Sequence, residues 1–500
     1  MGLLMGWSAA GLPVIQPRLR KWLDAIPLTP RTQLWPLCRY CDRRGVCKGD
    51  DCIRQSIYAL AGYTRRPLVA LFVFEEIEWY SEANERLLAV LAREPEDNDF
   101  GASILARDRN GRFRAVHNVG FNDSLEQTRR QLELDMRDWG GRPDAEFEQG
   151  DERRRPLNFF EPVIERQRFN PVFAAMREGE GYSPARELMS AMMHYYEDPD
   201  GNFVEQFQST GFDARLWELF LFATLAELGY TFDRAHAAPD FLCSGILGEF
   251  FIEAVTVNPT MVNGLSIEAG PPEDEEGRRR YSAEYMPIKF GSALYSKLQK
   301  RYWELPHVVN KPIVLAIQDF HFPRSMTWSE PSLAPYLYAR QYSALYDEHG
   351  NLTISPHIVR EHRWGDKVIP SGFFNQPGAE NISAVITNSQ GTVTKFNRMG
   401  FKAEFGSRAV RMTRRGTRYV HDQNAARPQP FVQMVHAPDY VEDWVEGMNV
   451  YHNPTALIPL PPEMLPGAAH HILRPDGQIG SLIPDFHPYG TETAIFVGEE

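Results

Sequence analysis

Residues 239–257 read PDFLCSGILGEFFIEAVTV. Two short apolar runs meet at a turn. The second run, 249–257, reads as a covered strand, yet it carries Glu253 at its middle. An unpaired buried carboxylate costs several kcal/mol or gives up its charge, so any fold that buries this strand must also supply a partner for Glu253. Side chains alternate along a strand, so Phe251, Glu253, Val255 and Val257 share one face. Phe250, Ile252, Ala254 and Thr256 share the other. Asp240 opens the preceding run, and a suitable hairpin register sets it beside Glu253. Like charges that close are destabilising unless a cation lies between them. Two or three carboxylates and a backbone carbonyl are the hard oxygen donors that Mg²⁺ or Mn²⁺ prefers.

The flanking segments suggest what covers that strand. DARLWELFLFATLAELGY (213–230) reads as a helix with Asp213 at its start and Gly229 at its end. It is apolar on nearly every face, hence deeply buried, and Glu218 stands near its middle. Strands are expected around 230–235, 239–244 and 249–257. An acidic flexible loop (270–282), a helix (about 291–305) and KPIVLAIQDFHF (311–322), a strand buried on both faces, follow. Upstream, the patterns predict a strand over 65–74 and a helix over 81–94. A hairpin over 101–119 turns at Asn110-Gly111, and a helix over 123–139 is capped by Asp123 or Ser124. Residues 157–212 read as mainly helical, most clearly over 183–198. Downstream lie a helix (332–347), a strand (380–389) and a Pro-rich tail. The expectation is a multidomain α/β protein. Residues 1–60 form an N-terminal segment and 61–145 a small α/β domain. A main domain spans 157–420, with its core at 213–320, and a C-terminal extension (421–500) packs on that core.

The order helix, three strands, helix, strand, with Glu218 on the helix, Asp240 in PDF and Glu253 in IEA, resembles the PD-(D/E)XK nuclease superfamily. These are restriction-endonuclease-like enzymes with an αβββαβ core. The resemblance covers about a quarter of the chain; the whole chain also resembles a bacterial family, which adds no function. In the superfamily pattern a lysine stands two residues after the glutamate, where this chain has Val255. Some members move that lysine to the following helix, which here offers Lys297, Lys300 and Arg301. Lys297 flanks the apolar stripe formed by Leu294, Leu298, Tyr302 and Leu305, so it is the candidate. Lys289 is the reserve, and Lys300 points away. The resemblance implies metal-dependent phosphodiester hydrolysis. Asp240, Glu253 and the Ala254 carbonyl would hold Mg²⁺ or Mn²⁺, with Glu218 assisting and Lys297 orienting the water. In the blander alternative, Glu218 pairs with Arg215 one turn earlier and Glu253 with an arginine across the sheet.

Composition narrows the class. A net charge of -13 excludes a histone-like coat, though not a local basic groove. No stretch approaches the length of a membrane span. The first residues lack a basic n-region and are interrupted by Pro13, so no signal peptide is expected. Four of the five cysteines, Cys38, Cys41, Cys47 and Cys52, fall within one short loop. That is a metal-ligand pattern and not a disulfide framework, and it fits a reducing cytoplasm. Four thiolates suit structural Zn²⁺ or a [4Fe-4S] cluster, and some nucleases of this superfamily carry such a cluster. The spacing departs from the usual ferredoxin run, which favours zinc. Paired disulfides or free thiols are the alternative. Cys243 reads as a packed apolar residue.

The densest basic region holds Arg408, Arg411, Arg414 and Arg415, with Lys395, Arg398 and Lys402 upstream. It is either a phosphate-contacting surface or a solvated face that pairs with local acids. The histidines of YHNP (451–454) and AHH (469–471) read as structural or exposed.

The function expected is a cytoplasmic, bacterial, Mg²⁺-dependent DNA endonuclease in defence or repair, with a homodimer as one option. A catalytically inactive nuclease-like fold that binds nucleic acid or assembles with partners is the alternative. A metal or redox sensor centred on the cysteines is a third reading.

Overall fold

The computed structural model describes residues 5–7, 13–15 and 75–498, less 83–84, 153–156, 199, 234–235, 246, 263–264, 268–269, 423 and 426. The strand expected over 65–74 and the four clustered cysteines lie outside the described residues. Chain segments 5–7 and 13–15 pair antiparallel.

Strands β1 (Glu75–Glu82), β2 (Leu87–Arg93), β3 (Phe100–Arg107) and β4 (Phe113–Asn122) form an antiparallel meander in sequence order. Gly111, at φ +80°, supplies the β3–β4 turn. Helix α1 (Leu125–Gly140) follows, capped by Ser124, whose side chain accepts from the Gln127 N–H. Leu87, Ala89, Leu91 and Ile104 pack toward Leu132 and Met136 of α1. Leu88, Leu105 and Phe113 face the other way, against Ala191. The helix expected over 81–94 is therefore a strand pair. Its residues favour helix by only tenths of a kcal/mol each, and a sheet covered on both faces buries successive residues alternately.

Helices Pro171–Glu178, α2 (Ser183–Met192) and Phe203–Gln208 lead to α3 (Phe212–Glu227). Gly211 occupies the N-cap of α3 without a side-chain bond, so Asp213 lies in the first turn and is not the cap. Trp217 is fully buried, and its indole N–H donates to the Ala316 carbonyl at 2.8 Å.

Next in the chain are β5 (Thr231–Asp233), β6 (Phe241–Gly245), β7 (Gly248–Val257), α4 (Met286–Leu298), β8 (Ile313–Asp319) and β9 (Ala384–Asn388). Then come α5 (Val393–Lys402), β10 (Val410–Arg418), β11 (Gln429–Met434), β12 (Met448–His452), β13 (Ala469–Leu473), β14 (Ile479–Leu482) and β15 (Pro488–Val497). The central sheet has eight strands in the order β14-β13-β12-β9-β8-β7-β6-β5. Strands β7, β8 and β9 are parallel, and β6 is antiparallel to β7. The C-terminal segment supplies three of these strands, while β10 pairs with β11 and β15 in a separate sheet. Strand β8 is buried at every position. Its Val314 and Ala316 join Trp217 and Phe220 in the core beneath α3. Leu315 and Ile317 join Leu294, Phe251 and Val255 beneath α4.

Two further expectations change. The loop expected over 270–282 contains the helix Glu275–Arg280, capped by Asp274, which continues through a π-helical turn into α4. Buried Tyr281 and Tyr285 anchor that turn. α4 therefore starts before 291, and the chain leaves it where Arg301 adopts φ +50°. The helix expected over 332–347 stops at Tyr338. Ala339 turns left-handed (φ +55°), and Arg340–Tyr346 pairs with Leu352–Ile358 across a turn at Asp347 and Gly350. No helix among the described residues is long and apolar enough to cross a membrane.

Part of the basic region, Lys395, Arg398 and Arg414, is an interior network. On β10, Val410, Met412 and Arg414 alternate inward, leaving Arg411 and Arg415 exposed; Arg408, just before the strand, is exposed too. Arg414 is fully buried, 2.6 Å from Glu446 and 3.5 Å from Glu442. Arg398 and Lys395 of α5 reach the same Glu442 at 2.7 and 2.9 Å. Arg414 is thus withdrawn from any nucleic-acid surface, because its charge is already matched inside. Burial alone would raise the Glu442 pKa, but Arg398, Arg414 and Lys395 outweigh that and hold the carboxyl well below its usual range. Removing the anion strands Lys395 and Arg398, while Arg414 keeps Glu446, so Glu442→Ala should cost about 3–5 kcal/mol in urea unfolding. Arg415→Ala, which removes an exposed pair with Glu492, should cost less than about 1 kcal/mol.

Candidate functional site

The β6–β7 hairpin places two acids side by side. Its register sets Phe241 opposite Ile252, so Asp240 stands next to Glu253. The Asp240 carboxylate accepts the Ala254 N–H at 2.7 Å, and the Asp240 N–H donates to Glu253 Oε2 at 3.3 Å. A strand residue points its N–H and C=O to the same neighbour, so the Ala254 carbonyl lies on the side of Asp240.

Helix α4 closes the site from above. Glu253 is 4 % exposed, and Lys297 Nζ lies 2.5 Å from its Oε1. The Tyr302 hydroxyl donates to the same oxygen at 2.7 Å. Lys297 therefore reaches the acid that a lysine at Val255 would have faced. Lys300 is exposed. Lys289, the reserve, bonds the Asn258 carbonyl at 2.6 Å instead and has no bond to Glu253.

Glu218 comes from α3 on the other side. Arg215 grips both of its oxygens at 2.7 and 2.8 Å, and the Tyr196 hydroxyl donates at 3.1 Å. The pairing with Arg215 one turn away is thus realised, whereas Glu253 pairs with a lysine and not with an arginine across the sheet. Glu218 is still close enough to disfavour charge on Asp240.

The electrostatics single out Asp240. Burial, then Glu253, then Glu218 push its pKa up to about 8, against the opposing pull of the Ala254 N–H and Lys297. Glu253 and Glu218 hold the site's cationic partners, and Asp240 holds none directly. A carboxyl kept protonated by neighbouring anions is one that a cation would ionise, so two adjacent carboxylates and the Ala254 carbonyl fit a hard divalent ion. In the arrangement described, however, Lys297 and Tyr302 occupy Glu253 Oε1. Among the described residues no three His, Cys, Asp or Glu side chains are grouped to hold a metal.

Sequence reasoning brought Asp240, Glu253 and Lys297 together but missed two hydroxyls. Tyr302 was placed only in an apolar stripe, although a buried tyrosine oxygen needs a partner. Tyr196 carries no local signal, because its contact with Glu218 exists only in three dimensions. The Cys243 thiol is buried and pushed well up, as a packed residue should be. The histidines of 451–454 and 469–471 are structural. His452 Nε2 meets His470 Nδ1 at 2.9 Å, and burial followed by His470 pushes His452 down to about 4.

No protein-family model, curated protein or solved structure matches the chain.

The raised pKa sets a pH signature. Between about pH 4, where an unfolded aspartate ionises, and about 8, the folded chain holds a proton on Asp240 that the unfolded chain has lost. That contribution to stability is present at low pH and disappears as pH rises through about 8. Asp240→Asn keeps an acceptor for the Ala254 N–H and removes the titration. In EDTA its melting temperature should match wild type near pH 4 and exceed it near pH 9. Equal pH slopes for the two proteins would overturn the assignment.

Proposed function

We propose that the chain is a metal-dependent phosphodiesterase acting on nucleic acid, an endonuclease of DNA in the first instance. The observation that carries this reading is the meeting of Asp240, Glu253 and Lys297. Two acids from one hairpin and a lysine from α4 come together, which supports a site of the kind the superfamily resemblance implies, despite Val255. The order α3, β5, β6, β7, α4, β8 supports the same reading, since it runs as in the αβββαβ core of PD-(D/E)XK enzymes.

Asp240, Glu253 and the Ala254 carbonyl would hold Mg²⁺ or Mn²⁺. When bound, such an ion polarises a phosphate and lowers the pKa of a water. Lys297 donates to the attacking water or to a phosphate oxygen and offsets the charge that builds there. Tyr302 holds Glu253 in place, and Arg215 with Tyr196 fixes Glu218 behind Asp240.

A second reading is a nuclease-like module that binds nucleic acid or assembles without cutting. It draws on Glu218 being clamped by Arg215 and on Glu253 already being neutralised by Lys297.

Cleavage of plasmid and single-stranded DNA in Mg²⁺, Mn²⁺ or EDTA separates the two. The phosphodiesterase reading expects cutting only with metal, abolished in Glu253→Ala and reduced at least about a hundredfold in Lys297→Ala, the scale of one lost electrostatic stabiliser. Binding without any cutting would move the second reading ahead. In the cysteine loop, Zn²⁺ would leave the purified protein colourless, whereas an iron–sulfur cluster would turn it brown.

A further inference from the structure

A cleft of about 490 Å³ opens beside α4 at the C-terminal end of β7. Thr256, Thr260, Lys289, Ser292, Trp364 and Lys367 line it. The sequence treated none of these as a group. The lining sets two ammonium groups and the hydroxyl-bearing Thr260 and Ser292 against an apolar wall of Val257, Ile288, Ala293 and Trp364. In a chain of net charge -13, neither lysine has a carboxylate within ion-pair distance among the described residues. Arg280, likewise without such a partner, lies with its guanidinium 5.4 Å from the Trp364 ring centre.

The two lysines are held, not paired. Lys289 Nζ donates to the Asn258 carbonyl at 2.6 Å and to Thr260 Oγ1 at 3.2 Å, which leaves one of its three hydrogens. Lys367 Nζ donates to Ser292 Oγ at 2.8 Å. Burial lowers the Lys289 pKa; the Asp319 charge acts the other way, and Lys367 adds a smaller lowering. The hydrogen-bond acceptors that position these two ammonium groups are neutral, so each keeps its charge for an arriving anion.

We infer that this cleft binds a phosphate ester, with Lys289 and Lys367 on the phosphate oxygens and Trp364 as the apolar wall. The source is either a nucleic-acid strand or a free nucleotide. The strand is favoured by placement. Lys289, Ala293 and Lys297 follow one another at intervals of four along one flank of α4. Eight residues of helix span about 12 Å, so a strand with one phosphate at Lys297 can lay another in the cleft. Ala293, between them, keeps the path clear. As a holding point for the substrate strand, the cleft rests on the phosphodiesterase reading above.

The test is binding by the full-length chain in EDTA. A short fluorescent single-stranded oligonucleotide is titrated by anisotropy at several salt concentrations, with AMP as a competing mononucleotide. Lys367→Gln, Lys289→Gln and the double variant are compared with wild type after their melting temperatures are checked. Lys367 is exposed, so its variant stays informative if Lys289→Gln fails to fold. Each substitution should weaken oligonucleotide binding about 5–10-fold and lower the slope of log affinity against log salt by about 1. AMP that competes, and loses its effect in the double variant, assigns the cleft to mononucleotides; failure of AMP to compete assigns it to the strand. If wild type binds neither ligand, or the double variant binds both unchanged, the cleft assignment is overturned. A cleft that fails while Glu253→Ala still abolishes cutting leaves the phosphodiesterase standing. Loss of binding in the double variant of a protein that never cuts leaves the cleft standing alone.

Discussion

A carboxylate in the middle of a buried strand must be paid for by something in the fold, and here Lys297 of α4 and Tyr302, in the turn just beyond it, meet Glu253. That contact fixes several things together. It orients α4 over the sheet, it brings a basic side chain onto Glu253, and it joins the apolar layer around Phe251, Val255 and Leu294. The salt bridge is partly solvated, because the lysine side chain is 30 % exposed. It is therefore an opening in the core, at a place where the two acids of the hairpin can meet solvent or a ligand.

The protein treats its buried acids in two contrasting ways. Glu442 is surrounded by Lys395, Arg398 and Arg414, which hold its carboxyl well below the usual range. It ties α5, β10 and the segment before β12 into one unit. Burial and then two neighbouring anions, Glu253 and Glu218, push Asp240 up to about 8, and among the described residues no cation is bonded to it. Low dielectric produces both results: it strengthens attraction where opposite charges are complete and punishes the group left in excess. The first arrangement suits a fixed joint. The second suits a position that changes charge when something binds.

The same contrast separates Arg414 and Arg415 from the cations of the cleft. Arg414 is spent on internal acids, and Arg415 on Glu492. Lys289 and Lys367 are held by a carbonyl and hydroxyls, and among the described residues neither forms a salt bridge. Density of basic residues along the chain is a poor guide to electrostatic potential, because strand alternation sends every second one inward.

What could be read from the sequence was local and periodic. The alternation of 249–257 placed Glu253 on a buried face, the burial of 213–230 and 311–322 marked the elements that cover it, and the flank position of Lys297 on its helix pointed to the site. Asn110-Gly111 marked its turn for the same reason, since the backbone demand is met within a few residues. What failed was whatever depended on a distant partner. Residues 87–91 have helix-forming composition and became a strand because Phe100–Arg107 and two cores flank them. Residues 340–346 became a strand because a turn at Asp347 offered a mate. The tail of the chain supplied β12, β13 and β14 to the central sheet, a placement with no short-range signal. By itself the sequence determined which side chains must be buried and which acids would then need partners, because burial follows from periodicity. Only the tertiary structure decided who the partners are, because Lys297 and Tyr302 reach Glu253, and Arg398 reaches Glu442, across more than forty residues of chain.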